Sequence, residues 1–178
     1  MKIETVPAHR LTRTAQKRII ESAQSAFGPT MTPAEVRDHI AGDVALAKSK
    51  RGKIVGFGTV ISKPGEIHLG GAAVHLEHQG NGAYKGLVRA RIENAIDSKT
   101  PLVTTRTQNE KVEAGIRATL LNLQDEGKIA GFSVRREKVE GVYGRKLANT
   151  PTPQPRSPYA KLDIERGDAF KLRAKIKY

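Results

Sequence analysis

The chain has 178 residues, with 31 Lys and Arg against 18 Asp and Glu, a formal charge of +13, and neither cysteine nor tryptophan. The length fits one domain with an appendage. The missing thiols exclude a disulfide framework, a thiol nucleophile and a Cys-ligated zinc, and the charge points to anionic partners such as nucleic acid, an acidic membrane or a negatively charged cofactor or substrate. MKIETVPAHR at the start has no apolar signal core, and no apolar run approaches membrane-spanning length, so the expectation is a cytoplasmic protein.

KIETV (2–6) alternates polar and apolar residues like a short strand. Between 12 and 27, Ala15, Ile19, Ala23 and Phe27 recur every four residues, one face of a helix that Gly28-Pro29 ends. TPAE (32–35) is a capping box: Thr32 caps, Pro33 fits the first turn, and Glu35 reaches back to open a short helix to about Ile40. Three β-like runs follow, 44–50, 53–62 and 66–75, joined at Arg51-Gly52 and Pro64-Gly65, and such short turns predict an antiparallel meander. A Gly-rich turn then leads into a helix from about Tyr84 to Asp97, with Leu87, Val88, Ile92, Ala95 and Ile96 inward. PLVTTRT (101–107) reads as a buried strand, and Asn109 caps a helix with the stripe Val112, Ile116, Leu120 and Leu123.

Runs 131–139 and 142–147 are expected to close as a hairpin around Gly141. Composition divides the chain into a domain at 1–147, a Pro-rich linker at 148–158 and a basic tail at 159–178. In that tail Lys171, Arg173, Lys175 and Lys177 fall on one side of a strand with Leu172, Ala174 and Ile176 opposite, an edge or docking strand. Arg89, Arg91, Arg135, Arg136 and Lys138 are further candidates to follow a phosphate backbone. Few aromatics are available for stacking, which argues against base-specific RNA reading.

A strand, a Gly-rich turn and a helix together turn backbone amides and a helix N-terminus toward a phosphate. The turn is neither a Walker A loop nor the dinucleotide fingerprint. The whole order of elements resembles the GNAT acyltransferase superfamily over roughly residues 2–147. The family signature Gln/Arg-x-x-Gly-x-Gly/Ala aligns with Gln79-Gly80-Asn81-Gly82-Ala83-Tyr84, and Gly131-Phe132 matches the Gly-Phe that opens the family's next strand.

The resemblance implies an α/β (α+β) fold with a mixed, mostly antiparallel sheet flanked by helices. It implies acetyl transfer from acetyl-CoA to an amine. The CoA pyrophosphate would sit on the amides of Gln79, Gly80, Asn81, Gly82, Ala83, Tyr84 and Lys85, with Asn109 nearby. The pantetheine arm would pair with a bulged edge near Ala73, Val74, His75 and Leu76, where the amide of Val74 or Leu76 polarises the thioester carbonyl. Glu66 and His68 share a strand face and are the candidate bases, with His75 and Glu77 at the strand's end. His75, Glu77 and His78 lack the spacing of a metal site.

Two departures stand out. Tyr84 replaces the last Gly or Ala of the signature, and its ring either fills the phosphate site or turns inward. LNLQDEGKIAGF lacks the family's acid Tyr, which leaves Tyr143 or water as proton donor. A second reading is therefore a catalytically inactive GNAT-fold subunit of a nucleoprotein assembly or virion.

Overall fold

The computed structural model describes residues 1–40, 42–147 and 150–178. Its strands are β1 (Lys2–Pro7), β2 (Asp43–Lys48), β3 (Ile54–Lys63), β4 (Glu66–Val74), β5 (Leu102–Thr107), β6 (Gly131–Val139) and β7 (Ala169–Lys177). The helices among the described residues are α1 (Arg13–Phe27), α2 (Pro33–His39), α3 (Ala83–Asp97) and α4 (Glu110–Asp125). One sheet runs β1-β2-β3-β4-β5-β7-β6, antiparallel except between β4 and β5. This is the mixed α/β architecture expected from the element order. Among the described residues no helix is long and apolar enough to cross a membrane.

Local chemistry sets most boundaries. Thr12 caps α1 by accepting from the Ala15 amide, and Gly28, at φ 93°, ends the helix. Thr32 and Glu35 form the reciprocal capping box of α2. β2, β3 and β4 form the meander, turning at Gly52 and Gly65, both with positive φ.

The sheet is covered differently along its width. On one face, α1 and α2 bury Ile19 and Val36 against Val44, Phe57 and Ala73. On the other, α3 and α4 bury Val88, Ile92, Leu120 and Leu123 against Leu69, Val103 and Leu172. Apolar burial at about 25 cal/mol per Å² makes these two layers the main stabilising term.

The C-terminal third corrects the sequence reading. Residues 142–147 do not pair with β6. The Tyr143 amide donates to Gly167 and the Gly144 amide to Gly141, so this stretch is a turn. The partner of β6 is β7, which lies between β5 and β6 rather than at an edge. Segment 159–178 is therefore part of the core, not a tail. Leu172, Ala174 and Ile176 need an apolar layer beneath them, and α4 provides it. Tyr159 is buried, donates to Glu113 Oε2 at 3.2 Å, and packs edge-on against Phe170 at 4.9 Å. Of the expected linker, residues 148 and 149 lie outside the described residues. The long β6–β7 connection is anchored on buried Gln108, whose amide nitrogen donates to the carbonyls of Arg145, Ile164 and Asp168. Its oxygen accepts from the Leu147 amide at 2.8 Å.

Candidate active site at the parting of two parallel strands

β4 and β5 pair only from Glu66 to His68 against Leu102 to Thr104, and then part. A bulge in β4 drives the parting. Gly58 pairs with Ala72 while Val60 pairs with Leu69, so Gly70 and Gly71 together oppose Thr59. A Cβ at Gly70 would lie 2.2 Å from Thr59 Oγ1, so a side chain there would have to displace the Thr59 hydroxyl. Arg91 of α3, 3% exposed, clamps the bulge by donating from Nη1 to the Gly70 carbonyl at 3.3 Å. It has no carboxylate partner among the described residues. Burial lowers its pKa from the ordinary guanidinium value, yet arginine stays charged. Thr105 Oγ1 donates to the Leu69 carbonyl at 2.8 Å, which satisfies that carbonyl where the ladder stops.

Strand parity decides which groups face the opening. The His75 amide donates to Val55 on β3 at 2.9 Å, so by alternation the Val74 amide points the other way, into the gap. The Leu76 amide is taken by Ser25 Oγ at 3.1 Å. Of the two expected carbonyl-polarising donors, Val74 faces the opening and Leu76 is already engaged. The bulge itself sits at Gly70-Gly71, earlier than the expected 73–76. On the opposite wall, the Ile176 amide donates to Pro101, which by parity turns the Arg106 carbonyl toward β4. Tyr143 donates its hydroxyl to that carbonyl at 2.8 Å, and burial pushes its pKa up to about 12. A residue far from the opening in sequence is thus delivered to it by the β6–β7 connection.

The Gly-rich turn lies at the end of β4. Gly80 and Gly82 have φ of 79° and 75°, and a Cβ at either would meet open space. Gly82 caps α3 without a side-chain bond, whereas Thr12, Thr32 and Asn109 cap the other three helices. Among the described residues the amides from Gly80 to Lys85 meet no protein acceptor. Gln79 ties the turn to β4 through the Val74 carbonyl at 3.0 Å. Asn109 spends its side chain on the Lys111 amide at 2.9 Å, a structural duty. Tyr84 turns inward, packing with both apolar clusters around α3. Burial raises its pKa, opposed by the adjacent Arg91 guanidinium. The ring does not fill the turn. His75 keeps a buried Nδ1 without a hydrogen-bond partner among the described residues.

The two candidate bases are joined by a residue the sequence reading did not single out. Thr104 Oγ1 donates to Glu66 Oε1 at 2.6 Å and lies 3.0 Å from His68 Nδ1. With its only proton given to Glu66, the hydroxyl must accept from His68, which assigns the proton to Nδ1 and leaves the Nε2 lone pair free. Burial lowers the His68 pKa, helped by Lys63 and Arg106 and opposed by Glu66. The Thr104 hydrogen bond holds the Glu66 carboxyl below its usual range. The available signal was a threonine pair inside the otherwise apolar run 101–107.

The basic candidates separate. Arg89 pairs with Glu93 and Glu126, Arg136 with Glu113 and Lys138 with Asp168, and Arg91 is buried. Arg135, Lys171, Arg173 and Lys175 lie on the sheet face opposite α4, where Arg173 is 3.8 Å from Glu137. A depression of about 500 Å³ between α1 and the β1–β2 edge lies apart from all of this, and its Lys48 and Arg18 are paired with Glu4 and Glu21.

No protein-family model and no curated protein matches the sequence. Solved structures do match. IAA acetyltransferase from Bacillus cereus ATCC 14579 superposes with a TM-score of 0.59 at 16% identity, covering 98% of both chains. Ribosomal-protein-S18-alanine N-acetyltransferase from Escherichia coli gives 0.61 at 12%, covering 98% of this chain and 94% of that one. A chain of the NatC complex bound to Gag peptide and CoA gives 0.53 at 19%, covering 97% and 98%. The fold of this chain is therefore the GNAT fold.

Proposed function

We propose that this chain is an acetyl-CoA-dependent N-acetyltransferase. The observation that carries the reading is the parting of β4 and β5, which runs directly into a glycine turn whose amides from Gly80 to Lys85 meet no protein acceptor among the described residues. Acetyl-CoA would supply an activated thioester and a pyrophosphate. The amides from Gly80 to Lys85, at the positive end of α3, suit the pyrophosphate. The Val74 amide suits the carbonyl oxygen as negative charge develops on it.

The chemistry balances with this chain's own groups. The amine nitrogen forms a bond to the carbonyl carbon as the C–S bond breaks. His68 Nε2 accepts the proton that the nitrogen loses, with Thr104 and Glu66 holding the ring. The departing thiolate takes a proton from Tyr143, whose raised pKa keeps it protonated at neutral pH, or from water. The excess of basic residues on the exposed face of β6 and β7 also supports the second reading, a GNAT-fold subunit that binds without catalysis. Both readings predict an anionic partner, and only the first requires acetyl-CoA.

Thermal unfolding with acetyl-CoA, set against a polyphosphate control, separates them. At about a hundred times Kd the ligand should stabilise by ~2.7 kcal/mol and raise Tm by roughly 5–10 °C. Gly82→Asn keeps the left-handed backbone accessible but puts a side chain in the cradle, and it should abolish the shift. A wild-type shift no larger than that with polyphosphate, or an undiminished shift in Gly82→Asn, would overturn the cradle.

A further inference from the structure

Among the described residues, the sheet face that carries His68 continues past it without a covering helix. Register alone assembles it. Lys63 stands opposite Glu66 and Thr104 opposite His68. Arg106 pairs with Lys171, Thr104 with Arg173, and Arg173 in turn with Arg135. Directly paired residues share a face, so Lys63, Arg106, Arg135, Lys171, Arg173 and Lys175 form one cationic field around the His68–Thr104–Glu66 chain. Its acidic members among the described residues are Glu66 and Glu137, the latter 3.8 Å from Arg173. Lys63, Arg106 and Lys171 are close enough to depress the His68 pKa, so the field reaches the proposed base.

We propose that this face is the docking surface for an acidic, extended polypeptide segment. Cations at 171, 173 and 175 repeat every second residue of a strand, about 6.7 Å apart. Carboxylates on one side of an extended peptide repeat at the same spacing. The paired strand faces present no Phe, Tyr or Trp among the described residues, so nucleic-acid bases would find no stacking platform. Exocyclic amines of nucleobases are also conjugated and poorly nucleophilic, whereas a peptide offers an α-amine or a lysine. Delivery of that amine to His68 rests on the acetyl-transfer reading; the docking does not.

Fluorescence anisotropy tests the docking without acetyl-CoA. The probes are a labelled Glu-Ala repeat peptide and an oligouridylate of equal charge, each titrated across a salt series. The peptide should bind more tightly than the oligouridylate and weaken as salt rises. The triple variant K171E/R173E/K175E should lower peptide affinity about tenfold or more. K17E/K50E/R51E, exposed charges elsewhere, should leave it unchanged. K171Q/R173Q/K175Q serves as a milder second variant should the reversals disturb β7. Tighter binding of the oligouridylate would overturn the peptide and assign the face to nucleic acid. Equal losses in both charge-reversal variants, or no loss with intact folding, would overturn the surface itself. Because acetyl-CoA is absent, a failure here leaves the thermal-shift test of the cradle to stand or fall on its own.

Discussion

The two halves of the sheet are built on different plans. β1 to β4 follow one another in the chain, pair with their sequence neighbours, and lie under α1 and α2. β5, β7 and β6 are assembled across long separations, with β7 inserted between two strands that precede it. They are covered by α4 on one side and left open and basic on the other. The seam between these halves is where β4 and β5 part. A locally specified meander supplies the bulge and the Val74 amide. The long-range half supplies Thr104, the Arg106 carbonyl and, through its connection, Tyr143. A site at such a seam needs both halves, since neither alone carries the proposed base His68, its hydrogen-bond partner Thr104 and the opening.

The largest effect should come from breaking the long-range half. A stop after Ser157 removes Tyr159 and β7, leaving β5 and β6 without their shared neighbour. We expect loss of cooperative unfolding by calorimetry. Leu172→Ala, a single step in the same direction, should cost about 2–5 kcal/mol in denaturant melts. Retention of a cooperative transition by the truncated chain would mean that the core is self-sufficient without β7, as the composition-based domain at 1–147 implies.

That contrast explains how much was legible in the sequence. Thr32-Pro33-Ala34-Glu35, the α3 stripe and the β2–β4 turns each carry their signal within a few residues, and each was found where expected. β7 was visible as a strand but not as an interior one. Alternation reports which side chains share a face and says nothing about which strand lies alongside. The run 142–147 has strand-like residues, yet its amides bond within a turn. At the candidate site, Glu66, His68 and Val74 were named from the sequence and lie beside the β4–β5 opening, and Tyr84 could be read either way until its ring was seen among the apolar residues around α3. Thr104, Arg91 and Ser25 act through contacts across elements, which no spacing rule encodes.

A smaller and sharper test concerns the seam. His68→Gln should lower kcat by about 10²–10⁴-fold, the usual worth of a positioned general base. Thr104→Val should lower kcat less, with KM little changed, because it removes the tether and leaves the ring. His68 is faced by Lys63, Arg106, Lys171, Glu66 and Thr104, and its pKa lies below the ordinary 6.5. The acidic limb of kcat/KM should therefore fall below pH 6.5. The same sign governs stability. A histidine whose folded pKa lies below its unfolded value resists protonation in the fold, so it carries no penalty well above pH 6.5, and the penalty grows as pH falls through that value. Thr104→Val also removes the hydrogen bond that holds the Glu66 carboxyl low, so the pKa of Glu66 should rise. An unchanged pH profile in Thr104→Val would separate His68 from Glu66 and break the link between the halves.

The smallest effect is expected at Tyr143. Its hydroxyl sits on the β5 wall of the opening, held by the Arg106 carbonyl. Tyr143→Phe should cost about 0.5–1.5 kcal/mol of stability, the net worth of one hydrogen bond. The effect on kcat should stay within about tenfold, because water can protonate a thiolate and positioned acids outperform it only when proton transfer limits the rate. A larger loss, with no change in KM, would show that the long-range half supplies the acid as well as the tether of the base. An unchanged kcat would leave Tyr143 as a strut between the β6–β7 connection and β5, and the chemistry would then depend on the local half for everything except Thr104.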